Sequence, residues 1–291
     1  MVDLLVLAPK KKANSTDMLI TEAKKMFKKV DFVPIKEVSL EVGEKYGVFH
    51  GENSLLDYDY VLPRIDSHRA GFGYHIIKML DYFKIKKPYS AESILIAHNK
   101  FATIFEIKKH GVPVPKTIYT QSQKTAKEIL DMMKFPIVIK LVDSFGGKGV
   151  LFVESETAAK SVFKTLDVLN QHLLIEDYIE NPGEDVRGIV AGNEIVASFK
   201  RVAAKGEKRS NALLGGKPTS YYLTEEEKEI CIKAAEAIKS DICAVDIIQS
   251  KKGPKVIEVN LNPGLKSIST TKTGKDVAKK IIRFCHNQTK R

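Results

Sequence analysis

The chain has 291 residues, with 47 Lys and Arg against 36 Asp and Glu, for a formal net charge of +11. At 43% hydrophobic and 29% charged, its composition is that of a globular protein and excludes a collagen, a disordered chain or a mucin-like stalk. No run approaches the ~20 apolar residues of a membrane helix, and three cysteines without C-x-x-C spacing exclude a disulfide scaffold and a structural zinc site.

In chain order, Leu4 to Ala8 reads as a buried strand. The charge order of this apolar opening, with Asp3 before it and Lys10-Lys11-Lys12 after, is wrong for a signal peptide, so a reducing cytoplasm is expected. Thr16 to Lys29 reads as a helix, Val61 to Pro63 as a short strand ending at Arg64, and Gly73 to Phe83 as a helix. This β-α alternation predicts a small parallel-sheet domain over 1–90. A dinucleotide site is unsupported there, since no G-x-G-x-x-G follows the first strand. A second unit spans 91–178. Lys100 to His110 is a helix stopped by Gly111 and Pro113, and Lys116 to Tyr119 is a strand. Ile137 to Val142 and Leu151 to Val153 are strands joined by a glycine-rich loop, hence a hairpin. Ser155 caps the next helix, and Leu173 to Tyr178 is strand-like. The third unit, 179–291, holds two antiparallel-looking pairs, Val186 to Val190 with Glu194 to Phe199 and Ala244 to Gln249 with Lys255 to Glu258. Between them Thr224 to Ile242 is a helix whose Thr224 and Glu227 form a capping box, and a last helix covers about 275–288.

The strongest constellation is Asp246, Glu258 and Asn260. Glu258 and Asn260 are two apart on one strand and share a face, and a turn centred on Lys252 sets Asp246 opposite Glu258. Opposed like charges destabilise a sheet unless a cation lies between them. Three oxygen donors suit magnesium or manganese, with phosphates completing the shell. Asn262, just past the strand, is a further candidate.

The loop Ser144 to Gly149 includes Gly146, Gly147 and Lys148, and its glycines let backbone N–H groups approach phosphate oxygens. It lacks the Walker spacing. Taken alone the loop reads equally as an ordinary turn, Lys140 on the preceding strand as a surface lysine, and Glu176-Asp177-Tyr178-Ile179 as an acidic linker or as an adenine-binding edge. The fourth cluster is basic, with Lys200, Arg201, Lys205, Lys208, Arg209 and Asn211 preceded by Asp185 and Arg187. Arginine matches carboxylates and phosphates best. Elsewhere the lysines are spread out, with no basic stripe or RNA-binding motif, so neither nucleic acid nor membrane is expected as a partner.

Taken in order, these motifs resemble the ATP-grasp superfamily and, within it, the RimK-type glutamate ligases. The specific segments are Lys208-Arg209-Ser210-Asn211 with Gly215-Gly216, and Ile257 to Leu265. The resemblance implies an α+β fold with an α/β N-terminal domain and a three-part architecture, in which the nucleotide lies between two lobes that each contain an antiparallel sheet. It implies that Lys100 and Lys140 contact ATP phosphates under the lid loop of Ser144, Gly146, Gly147, Lys148 and Gly149. Glu176, Asp177, Tyr178 and Ile179 would hold adenine and Asp185 the ribose. Asp246, Glu258 and Asn260 would bind two magnesium ions, or manganese. Arg201, Arg209 and Asn211 would hold the phosphates and the substrate carboxylate, and Arg64 would lie where the first domain meets the acceptor. The lid departs from a compared family member, which has glutamine and isoleucine where this chain has Gly146 and Lys148.

The activity implied is ADP-forming ligation of L-glutamate through an acyl phosphate. The anionic acceptor would be a ribosomal protein C-terminus or a glutamylated coenzyme, and the enzyme a homo-oligomer. A ligase of lysine or arginine biosynthesis acting on an acidic carrier protein, and a nucleotide-binding regulator without turnover, are the alternatives. Cys285-His286 reads as the end of the last helix rather than a catalytic pair.

Overall fold

The computed structural model describes residues 2–10, 14–44, 46–141, 149–169, 171–181, 183–203 and 217–290. The apolar opening is β1 (Asp3–Ala8), the centre of a three-stranded parallel sheet. Helix α1 (Asn14–Ala23) leads from it to β2 (Lys29–Pro34) on one side. An antiparallel meander, β3 (Val38–Val42), β4 (Tyr46–His50) and β5 (Asn53–Ser54), precedes β6 (Tyr60–Pro63) on the other. A central parallel strand is covered on both faces and therefore reads as a continuous apolar run. Leu5 and Leu7 enter one hydrophobic cluster, and Leu4 and Val6 another. Helix α1 is shorter than the sequence predicts: the chain turns after Ala23, buries Phe27, and Lys29 already belongs to β2.

Helices α2 (Ala70–Tyr82), α3 (Ala91–Ala97) and α4 (Lys100–Lys109) follow. Gly73 of α2 lies against the residue after Arg64: a Cβ there would meet Ile65 Cγ2 at 2.4 Å. Asn99 caps α4 by accepting from the Ala102 N–H at 3.0 Å.

The next sheet is antiparallel, in the order β7-β10-β8-β9. It comprises β7 (Thr117–Thr120), β8 (Ile137–Leu141), β9 (Val150–Val153) and β10 (Leu173–Asp177), with α5 (Gln123–Leu130) and α6 (Glu156–Val168) on one face. Ile137, Ile139, Leu173 and Ile175 pack under those helices, so Lys140 and Glu176 stand on the opposite face. The expected β8–β9 hairpin is present, and Ser155 caps α6 by accepting from the Ala158 N–H.

The largest sheet runs β13-β12-β11-β14-β15. Its strands are β11 (Glu184–Ala191), β12 (Glu194–Val202), β13 (Lys217–Ser220), β14 (Ile242–Ser250) and β15 (Gly253–Asn260). On one face Val186, Val245, Ile247, Val256 and Val259 pack with α7 (Glu225–Ala237). On the other, Ile189, Ala197, Phe199 and Ala244 join β1, α1 and α9 (Val277–Gln288). Short α8 (Lys266–Ser269) precedes α9. The expected capping box is present, with the Glu227 N–H donating to Thr224 Oγ1 and the Thr224 N–H to Glu227 Oε2. Helix α7 nevertheless ends at Ala237, five residues before the predicted end at Ile242, because Ile242 opens β14.

Candidate functional site

The second face of the large sheet changes character along its strands. Past Ile189 and Ala197 it turns from apolar to charged. Arg187 pairs in register with Phe199 on β12 and with Asp246 on β14, and Asp246 pairs with Glu258 on β15. One rank further along, Asp185 faces Arg201. Cross-strand partners share a face, so one row carries Phe199, Arg187, Asp246 and Glu258, with Asp185 and Arg201 beside it.

The arginines hold the aspartates bidentately. Arg187 Nε and Nη2 donate to Asp246 Oδ1 and Oδ2 at 2.5 and 2.6 Å. Arg201 donates to both oxygens of Asp185 at 2.6 and 2.5 Å, and its Nη2 also reaches Asp246 Oδ2 at 3.0 Å. Asp246 is 1% exposed. Burial by itself pushes its carboxyl up, but Arg187 and Arg201 overcome this and hold it at about 2. Arg201 shifts the other way: the two aspartates raise its pKa despite burial.

Glu258 is the opposite case. Burial first, then Asp246, pushes its carboxyl up, while Arg187, Lys140 and Lys100 offset this in part. Among the described residues its carboxylate has no hydrogen-bond or ion-pair partner. Asn260 lies two residues on, on the same face, opposite Ala244. The described residues form no cluster of three or more His, Cys, Asp or Glu side chains. The open donors are the Glu258 carboxylate and the Asn260 amide, with the Asp246 carboxylate beside them already accepting from Arg187 and Arg201; this set fits magnesium, an ion commonly bound through one or two carboxylates with phosphates and water completing the shell.

Lys140 Nζ lies 2.7 Å from Glu176 Oε2, with both side chains largely buried. Glu176 Oε1 is buried with no hydrogen-bond partner among the described residues. Tyr178 packs edge-on against Phe152 of β9 at 5.9 Å. Gly149 closes the β8–β9 hairpin, accepting from the Leu141 N–H at φ +75°, a backbone conformation that suits glycine. Ser144, Gly146, Gly147, Lys148, Arg209 and Asn211 lie outside the described residues.

The sequence reading did not single out Arg187 for a role. It sits two residues after Asp185 on a strand, and that period-2 spacing is the signal that could have found it. The Asn262 amide N–H donates to the Ile65 carbonyl, and its Oδ1 is buried without a hydrogen-bond partner among the described residues. Both oxygens of Asp185 are taken by Arg201. Beside the charged row lies a cavity of about 400 Å³ whose lining includes Arg64, Arg187, Arg201, Lys266, Ser15 and Gly264. The three cysteines are buried and free; burial pushes Cys285 up to about 12, and Cys231 and Cys243 are raised too. None therefore offers a thiolate nucleophile.

These two antiparallel sheets, with a parallel-sheet domain before them, define an ATP-grasp protein. The same fold is seen in the ATP-grasp ligase PsnB, solved with a minimal precursor, Mg and ADP, at a TM-score of 0.77 and 13% identity over 99% of this chain and 97% of that one. Within that class, a RimK PreATP-grasp domain model matches residues 2–94 and a RimK-like ATP-grasp domain model residues 97–285, so the chain belongs to the RimK family of ATP-grasp ligases. A probable alpha-L-glutamate ligase of Coxiella burnetii is 31% identical over 99% of this chain and 96% of its own length. A ribosomal protein bS6–L-glutamate ligase of Escherichia fergusonii is 36% identical over 78% of this chain and 76% of its own.

Proposed function

We propose that this chain is an ADP-forming carboxylate–amine ligase that adds L-glutamate to a peptide or coenzyme acceptor ending in a carboxylate. One observation carries the reading. Glu258, without a hydrogen-bond or ion-pair partner among the described residues, stands opposite Asp246 in a row that borders a cationic cavity, and its carboxylate feels the charges of Lys140 and Lys100. The family and the names of the relatives support it.

In this reading Lys100 and Lys140 bind ATP phosphates. Glu176, Asp177, Tyr178 and Ile179 hold the adenine, with the unpartnered Glu176 oxygen available to its amino group. Glu258 and Asn260 would hold magnesium together with Asp246, and a bound ion would supply positive charge at the phosphates. Arg187 and Asp185 fix the positions of Asp246 and Arg201. The γ-phosphate passes to the acceptor carboxylate and ADP leaves. The glutamate amine then attacks the acyl phosphate and inorganic phosphate departs. Arg201, with Arg209 and Asn211, answers the negative charge that develops. Positioning and electrostatics suffice, and no protein nucleophile is needed. The three units 1–90, 91–178 and 179–291 are read as the α/β pre-ATP-grasp domain, the lid subdomain and the metal-bearing C-terminal subdomain.

The test is ADP release with magnesium-ATP and L-glutamate, using a glutamate-ending peptide and glutamylated coenzymes as acceptors. Glutamate-dependent release with at least one acceptor is expected. ATP binding without turnover on every acceptor would favour the regulator reading.

A further inference from the structure

The charges around the 400 Å³ cavity do not balance. Four cations line it: Arg64, Arg187, Arg201 and Lys266. Arg187 and Arg201 are answered from behind by Asp246 and Asp185. Arg64 and Lys266 have no carboxylate partner among the described residues, which leaves two positive charges uncompensated.

Arg64 is built into its place. It follows β6 directly, its backbone N–H donates to the Leu7 carbonyl at 2.7 Å, and Gly73 admits Ile65 against α2. Its Nη2 donates to the Pro263 carbonyl at 3.0 Å. A guanidinium carries five N–H donors, and among the described residues this one gives only that side-chain hydrogen bond. Burial without a carboxylate pulls its pKa to about 10, so the group stays charged at neutral pH. A desolvated cation without an anion is costly to the fold on its own, and a bound carboxylate would offset that cost.

We propose that Arg64 is a specificity-determining residue that selects a dicarboxylic amino acid as the amine donor, taking its side-chain carboxylate while Lys266 takes the α-carboxylate. The inference rests on the ligase reading and deepens it. The amine donor is the better occupant because both its carboxylates are spectators. The new C–N bond forms as the C–O bond to phosphate breaks, and the amine's proton leaves with the phosphate. The donor therefore enters and leaves the step with both charges intact, matching the anchored Arg64 and the exposed Lys266 at the cavity rim. The acceptor carboxylate, by contrast, is consumed in forming the acyl phosphate.

The experiment compares wild type, Arg64→Gln and Arg64→Lys with L-glutamate and L-glutamine as amine donors and a glutamate-ending peptide as acceptor. Glutamine keeps the shape and removes one charge. Arg64→Gln is expected to raise the KM for glutamate about 10- to 100-fold, the loss of a charged hydrogen bond, while the KM for ATP and the activity with glutamine stay near wild type. Arg64→Lys should fall between. Equal losses on both amino acids, or an unchanged glutamate preference, would overturn the assignment. If wild type releases no ADP with glutamate, the ligase reading fails, and calorimetry with L-glutamate alone still decides the cavity. Binding to wild type that is lost in Arg64→Gln supports the site; equal binding to both proteins, or none to either, rejects it.

Discussion

Asp246 stands directly across from Glu258 because, between the turn and this pair, β15 carries one residue more than β14. From the turn, Ser250 pairs with Gly253, Gln249 with Pro254, Ile248 with Lys255 and Ile247 with Val256. Continued, that register would set Asp246 against Ile257. A bulge leaves Ile257 unpaired and moves Glu258 into register. Val256 thus lies under α7 while Glu258, two residues later, lies on the charged face.

This juxtaposition predicts opposite stability effects for two isosteric changes. Asp246→Asn leaves Arg187 and Arg201 without their shared carboxylate, and removing one partner from a buried pair costs about 3–5 kcal/mol. Glu258→Gln removes a repelled charge and should leave the metal-free protein no less stable at pH 7. The pH dependence follows. Asp246 is depressed, so its contribution is complete above its ordinary value of 3.8 and is lost as pH falls toward about 2. Glu258 is raised, so its penalty is present at neutral pH and is relieved as pH falls toward its ordinary 4.5. Urea unfolding of the three proteins at pH 7, pH 5 and pH 3, without divalent ions, checks both signs. A Glu258→Gln protein clearly weaker than wild type would count against repulsion across the strands.

Magnesium should act through the same pair. An ion that binds only the folded chain raises its apparent stability, and between two carboxylates it also removes their repulsion. Wild type is expected to melt higher in millimolar magnesium with ADP than with ADP and a chelator. Glu258→Gln should lose most of that increment while still binding ADP. Thermal melts at constant ADP read this without any turnover, and an equal magnesium increment in both proteins would place the ion elsewhere.

Legibility in the sequence followed locality. The capping box at Thr224 and Glu227, the β8–β9 hairpin and the Glu258–Asn260 spacing involve residues close along the chain, and all three could be read. The Asp246–Glu258 pairing was also legible, but from a turn centred on Lys252. The structure has the two-residue turn Lys251-Lys252, and the bulge at Ile257 supplies the compensating shift. A bulge leaves no mark in an apolar strand such as Lys255 to Val259. The end of α7 was missed for a related reason. The Ser240 N–H donates to the Ala235 carbonyl and the Lys239 N–H to Glu236, the pattern of a Schellman stop. The left-handed position is Lys239, at φ +55°, where glycine would have announced it. The two-residue spacing from Asp185 marks the face of Arg187, but its partner Asp246 and the exposure of Arg64 to a cavity depend on residues tens to hundreds of positions away, which local spacing does not reveal.

Arg201 ties Asp185 to Asp246, and this predicts strong coupling. Arg201→Met strands the buried Asp185 carboxylate and takes one of its two arginines from Asp246, which keeps Arg187, and should cost about 3–5 kcal/mol. Asp185→Asn alone should also destabilise, by less, because Arg201 keeps Asp246. In the double variant the second change should cost far less than it does alone, giving a coupling energy of about 1–3 kcal/mol. Denaturant melts of the four proteins close the cycle, and strict additivity would mean that the bidentate contact contributes nothing.

The register that places Arg187 can be checked on the other face of its strand. Gly188 follows Arg187 and points toward α7, where a Cβ would meet Cys231 Sγ at 2.7 Å and Leu223 Cδ1 at 3.1 Å. Gly188→Ala should therefore destabilise by about 1–3 kcal/mol through overpacking. Cys231→Ala removes the nearer atom, so Gly188→Ala should cost much less in that background than in wild type. The measurement is denaturant unfolding of wild type, both single variants and the double. Because the contact exists only if Gly188 lies under α7 and Arg187 on the charged face, a Gly188→Ala cost that Cys231→Ala leaves untouched would mean that β11 is registered differently, and the pairing of Arg187 with Asp246 would fall with it.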